Sequence, residues 1–203
     1  MGIYPVVGVH FFKVNMATNE PIMIDELFGE LDFSETEEKW VVVYTKPRRE
    51  KKLAKYAAEN GVSYYLPLQE SIRRYKDREV KFTKPLFSGY IFIKCDFHQK
   101  RTLLASGHIV TFIRVPNEAE LLFELKQIYL GKSMGAEYEP GEYFEQGCRV
   151  KIIAGPFEGL TGVVKNQKDA KQVMLRVNML HQAVAITVQS NQLEILEIEY
   201  EDE

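Results

Sequence analysis

Apolar residues come in short bursts along this chain, and their spacing shifts from continuous to helical and back. Trp40-Val41-Val42-Val43-Tyr44 is an unbroken apolar run of strand length, rich in β-branched and aromatic side chains. Pro47 suits the first turn of a helix, and Asn60-Gly61 suits its end. Between them Leu53, Ala54 and Ala57 share one helical arc, while Arg48, Lys51, Lys52 and Lys55 share the opposite one. The predicted helix is amphipathic, with a cationic outer face. Residues 62–66 predict a second strand, and residues 70–75 and 79–82 predict hairpin arms around Lys76-Asp77-Arg78. Residues 90–93 and 109–115 predict further strands, with a short helix near 99–105 between them. Leu121, Leu122, Leu125 and Ile128 then recur at helical spacing through 118–129. Strands and helices interleaved with hairpins predict an α+β layered domain.

From 131 to 146 the pattern stops, and Gly, Pro and Glu dominate, which predicts a linker. Five short runs follow, at 148–153, 162–166, 172–177, 183–188 and 193–196, with turn residues between them and no helical period. Short strands packed so densely predict a small closed β-barrel. Gly155, Gly159, Gly162 and Pro156 oppose a helical form. The module is therefore expected to rest as a barrel, free of the preceding domain. The chain divides into an unassigned extension (1–38), a first domain (39–130), a linker (131–144), the barrel (145–197) and an acidic tail (198–203). Within the extension, 5–12 reads as one strand and the acidic remainder as a linker or a short helix.

Charge changes the picture. The chain carries 26 basic and 29 acidic side chains, but residues 40–128 hold 17 basic against 9 acidic. A basic module between acidic flanks suggests a polyanion partner for that module alone, set against the alternative of a merely solvated basic surface. The cations fall in three groups: Lys46, Arg48 and Arg49; the helix face with Lys52 and Lys55; and the hairpin with Arg73, Arg74, Lys76 and Arg78. Such side chains contact phosphates through charge, and Tyr44 or Tyr75 can stack on an unpaired base. In the strand after the Phe87-Ser88-Gly89 turn, alternation sends Tyr90 and Phe92 to one face and Ile91 and Ile93 to the other. Both faces are apolar, so the strand is either buried on both sides or keeps one face for a partner.

Catalytic signals are poor. Cys95 and Cys148 read as free thiols of a reducing compartment. Cys95 and His98 have half the spacing of a zinc site, with no second half. His10, His98, His108 and His181 are scattered, and no nucleophile–base pair can be named. Neither an enzyme, a cofactor nor a metal is expected. No apolar run reaches the ~20 residues of a membrane span and no basic leader opens the chain, so a cytoplasmic monomer is expected.

Three blocks in order carry a resemblance: 40–48, 85–92, and the KOW-like stretch 147–164 containing Gly155-Pro156-Phe157-Glu158-Gly159. On these the chain resembles the NusG family of transcription elongation factors. The resemblance implies an NGN-type antiparallel sheet with flanking helices, followed by a five-stranded, SH3-like KOW barrel. It implies docking on the clamp helices of RNA polymerase through Phe87, Tyr90 and Phe92 with Leu121, Leu122 and Leu125. The basic groups would then face DNA near the transcription bubble. Ser88 stands where the family usually has Pro. The stretches 44–52 and 66–68 look like the specialised UpxY and RfaH antiterminators, which implies operon-specific suppression of pausing or termination. A housekeeping elongation factor, or a ribosome-associated KOW protein that binds RNA, is the alternative. The barrel would recruit a ribosomal protein or the termination factor Rho through Phe157, Leu180 and His181. Leu180-His181-Gln182-Ala183-Val184-Ala185 replaces the Phe-Gly-Arg-x-x-Pro loop of housekeeping members, so the identity of that partner stays open.

Overall fold

The computed structural model describes residues 22–34, 36–75, 78–141, 143, 147–165 and 172–199. The predicted strand at 5–12 lies outside them. Strands β1 (Leu27–Phe28), β2 (Lys39–Thr45) and β3 (Ser63–Tyr65) join β6 (Tyr90–Cys95) and β7 (Ile109–Ile113) in an antiparallel sheet ordered β1-β3-β6-β2-β7. β4 (Leu68–Tyr75) and β5 (Arg78–Pro85) pair with each other as a separate ribbon. β2 and β6 are the two central strands, so both of their faces are covered, which accounts for their unbroken apolar runs.

The two faces pack against different elements. Val41, Val43, Ile91 and Ile93 meet Leu53, Ala54 and Ala57 of α1 (Glu50–Glu59) and Leu103 of α2 (Phe97–Ala105). Trp40, Val42, Tyr65 and Phe92 meet Leu121, Leu125 and Ile128 of α3 (Glu118–Ser133). α2 starts in a capping box: Asp96 accepts from the Gln99 N–H (2.7 Å) while the Gln99 side chain accepts from the Asp96 N–H (2.8 Å). Residues 24–34 and 36–38 are tied into this domain. The indole N–H of Trp40 donates to the Asp32 carbonyl (2.8 Å), Lys94 pairs with the Asp32 carboxylate (2.7 Å), and the Lys132 ammonium reaches Glu26.

The C-terminal module contains β8 (Glu139–Gly141), β9 (Gly147–Ile152), β10 (Thr161–Val164), β11 (Gln172–Val177), β12 (Gln182–Thr187) and β13 (Leu193–Glu199), ordered β13-β9-β10-β11-β12-β8. Its regular elements are strands and short 3-10 turns, but among the described residues the expected closed five-stranded barrel is not found: β13 and β8 end an antiparallel sheet of six strands. The sixth, β8, comes from the segment expected to be a linker. Its Glu-Pro-Gly sequence has no apolar pattern, and its place is set by backbone pairing. A Cβ on Gly141 would stand 3.0 Å from the backbone of Val184, so glycine permits the approach.

Nor is this module free. α3 lies between the two sheets, and a single apolar cluster runs from Trp40 and Phe92 through Leu125 to Val150, Val173 and Val184. Polar bonds fix the contact. Gln127 Oε1 accepts from the Thr161 N–H (2.7 Å), the Glu124 carboxylate from the Asn178 N–H (3.1 Å), and Glu120 from the Asn178 amide (2.7 Å). α3 has buried residues on both flanks, as a helix between two layers requires.

Candidate nucleic-acid interface

Loop 46–49 carries the chain from β2 into α1. The Lys46 N–H donates to the His108 carbonyl (2.8 Å), and its ammonium donates to the Gly107 carbonyl (2.8 Å). Arg48 adopts a left-handed conformation (φ 60°), and Arg49 caps α1 without a side-chain hydrogen bond. Glu50 in the first turn turns inward, where its carboxylate accepts from the Gly89 N–H (2.8 Å). Gly89 has φ +86°, and a Cβ there would stand 3.0 Å from the Tyr44 ring. Glycine therefore lets the turn run beneath Tyr44, whose ring lies 5.3 Å from that of Tyr90.

Lys46, Arg48, Lys52 and Lys55 are exposed and Arg49 is half-buried. Lys55 approaches Glu59 at 3.8 Å, an exposed pair of small energetic weight. Lys51 departs from the predicted cationic face: its ammonium donates to the Thr83 carbonyl (2.8 Å) and hydroxyl (2.6 Å), tethering α1 to the ribbon. Burial lowers its pKa.

The ribbon's register splits its cations between two faces. Arg73 lies opposite Val80, with its guanidinium 5.5 Å from the Phe82 ring. Arg74 lies on the other face and pairs with Glu79 (2.8 Å). Arg78 is exposed, and Lys76 lies outside the described residues. Sequence reasoning missed three cationic or titratable groups nearby. Lys81 and Lys84 are exposed on β5, a regular strand whose charges alternate with Val80 and Phe82. His108 stands among Lys46, Arg49 and Lys52, about sixty positions away in the chain, and only tertiary structure brings them together. Its pKa is lowered, first by burial and then by those three cations.

The residues expected to dock on polymerase lie elsewhere. Phe87, Phe92, Leu121, Leu122 and Leu125 are buried in the shared cluster, and Tyr90 is half-buried against it. The Tyr90/Phe92 face is covered by α3 and the C-terminal module, so it is not an open surface here. Phe157 and Leu180 also pack into that cluster, and His181 borders a groove shared with Leu86 and Phe87. The basic face and the covered face thus lie on opposite sides of the five-stranded sheet. Cys95 is buried with its thiol pushed up to about 12, while His98 is exposed on α2. Among the described residues no cluster of three metal-ligating side chains occurs, and no helix is long and apolar enough to cross a membrane.

A sheet flanked by helices, with a cationic first helix and an aromatic central strand, now has a counterpart among known families. Residues 38–126 match the NusG family, described as transcription termination factor nusG. The match runs from β2 into α3 and includes the whole basic face; the C-terminal module lies beyond it. NusG-family proteins are non-enzymatic transcription factors, and members bind RNA polymerase. A solved structure described as "Domain interaction in Thermotoga maritima NusG" is similar to this chain at 21% identity. It covers 79% of this chain and 98% of that one, with a TM-score of 0.41. No curated protein matches this chain.

Proposed function

We propose that this chain is a transcription elongation factor that binds RNA polymerase and the nucleic acid beside it, and that it suppresses pausing or termination at particular operons. One observation carries the nucleic-acid half of this reading. The exposed cations of loop 46–49 and α1 stay open on one side of the sheet while the C-terminal module covers the other. Polymerase would engage Tyr90, Phe92 and α3 only after the module leaves them, and the same release would uncover Leu180 and His181 for a second partner. The action is a population shift: bridging polymerase and DNA disfavours the paused state, with no bond made or broken.

The test is binding to a forked DNA with a single-stranded arm. Replacing Arg48, Lys52 and Lys55 by Ala should weaken binding and make the salt dependence shallower by roughly one unit for every phosphate no longer neutralised. Equal affinity and slope for the variant and the parent would reduce this face to solvated surface.

A further inference from the structure

The seam between α3 and the C-terminal sheet is not filled from end to end. It opens into a cavity of about 580 Å³, walled on one side by Phe123, Glu124 and Gln127 of α3 and on the other by Lys151, Thr161 and Arg176 of the sheet. A cavity of this size where two packed units meet is a usual setting for a small-molecule site. We propose that it binds a small organic anion with a planar apolar body, and that this ligand holds the C-terminal module closed. The inference stands on the closed arrangement alone and does not need the reading of the basic face.

Hydrogen-bonding groups along the cavity are unevenly spent. On α3 the acceptors are taken: both Glu124 carboxylate oxygens accept from the Asn178 N–H (3.1 and 3.2 Å), and Glu120 accepts from the Asn178 amide (2.7 Å). The donors are not. The Thr161 N–H can only donate, so its bond fixes Gln127 with the amide oxygen toward the sheet, where the Thr161 hydroxyl also donates to it (3.4 Å). Both N–H donors of that amide then lack a partner among the described residues. Lys151 is exposed and makes no ion pair among them, although Glu194 stands opposite it in the β9–β13 register. Arg149 and Arg176, each with contacts of its own, add positive charge to the same wall. Surplus donors and cations call for a ligand that brings acceptors and negative charge. Its body is indicated by Phe123, which is 53% exposed although α3 packs between two sheets, and by Leu196 of β13, which is 49% exposed. Both line the cavity, and a planar ring laid on Phe123 would take apolar surface out of water. Because the walls belong to different units, such a ligand binds the closed form and raises its population by mass action.

The test uses the full-length chain with naphthoate and naphthyl phosphate as ligands, and with naphthol, which has the ring without the charge, as the control. At least one of the anions should bind about tenfold more tightly than naphthol, the effect of one charge-assisted contact. In NMR titrations the amide signals of Phe123 and Gln127 on one wall and of Lys151 and Thr161 on the other should move along one saturation curve. Lys151→Gln and Phe123→Ala, both at exposed side chains, should each weaken the anion about fivefold or more. Hydrogen exchange then reads closure directly, because the Thr161 and Asn178 N–H groups bond across the seam to Gln127 and Glu124. With the anion at ten times its dissociation constant, exchange at both should slow about tenfold. Naphthol binding as tightly as the anions would overturn the assignment of ligand class. Signals moving on one wall only, or around Lys46, Arg48 and Lys52 instead, would remove the site, the latter leaving the basic face as the anion binder. Unchanged exchange at the seam in the saturated chain would show that the anion does not hold the module. Should a variant fail to fold, the titrations and exchange on the parent chain decide.

Discussion

Gly131 lies where α3 presses on Tyr138 and Leu160, and a side chain there should pry the C-terminal module away. A Cβ at this position would stand 2.6 Å from the Tyr138 hydroxyl and 3.2 Å from a Leu160 methyl. Gly131→Leu would push both away. Losing the hydrogen bond from the Tyr138 hydroxyl to the Ile128 carbonyl should cost about 1 kcal/mol. Partial exposure of Leu160 should cost about 2 kcal/mol more. Against this, replacing glycine inside a helix returns about 1 kcal/mol, but it stabilises α3 in the open and closed forms alike. Closure should therefore weaken by about 3 kcal/mol, roughly a hundredfold in the closed-to-open ratio, while the N-terminal domain holds or gains stability. The assay is ¹⁵N relaxation on the full chain, because a closed molecule tumbles as one body and an open one as two smaller bodies with shorter correlation times. An unchanged correlation time in a folded variant would show that the contact has slack. Selective melting of the N-terminal domain would show that Gly131 belongs to its interior and not to the seam.

Glu124 should make closure depend on pH. Burial, the largest cause, raises its pKa to about 7, although the Asn178 N–H opposes the rise. A carboxyl raised in the closed form favours closure below its free pKa near 4.5 and loses that contribution as pH climbs through about 7. The closed population should fall between pH 5 and pH 8 by about 2–3 kcal/mol, and correlation times of Glu124→Gln should show no such trend. Phe92→Ala should lower stability in urea by about 3–5 kcal/mol, because its fully buried ring packs edge-on against Phe87 at 6.2 Å. A loss below about 1 kcal/mol would mean that the aromatic face is not core.

Much of the fold was legible because the strongest local signals coincide with burial. β2 and β6 read as strands because being central makes them apolar on both faces, and α1 read as a helix because Leu53, Ala54 and Ala57 face inward while its cations face out. Two of the short strands, β1 and β8, were not legible. β1 has only Leu27 and Phe28, and β8 pairs through backbone, so neither leaves a side-chain period to read. The covered aromatic face was legible only as a pair of possibilities. Alternation shows that Tyr90 and Phe92 share a face, but what lies over it depends on residues such as Val150, Val173 and Val184, which join their cluster only in three dimensions. The candidate site divided similarly. Arg48, Lys52 and Lys55 declare themselves by helical spacing. Lys51 belongs to the same arc but is diverted to Thr83, and His108 joins only through the turn after α2.

α3 also has a consequence for how the molecule comes apart. Because it contributes side chains to one apolar cluster that reaches into both sheets, neither layer keeps a complete interior when the other dissolves. The closed chain should lose its structure in a single cooperative step on heating. Its calorimetric enthalpy should equal the van't Hoff value, whereas two separate transitions would leave the calorimetric enthalpy the larger. Cooperativity is then itself a readout of the domain arrangement: anything that frees the C-terminal sheet would split one thermal transition into two.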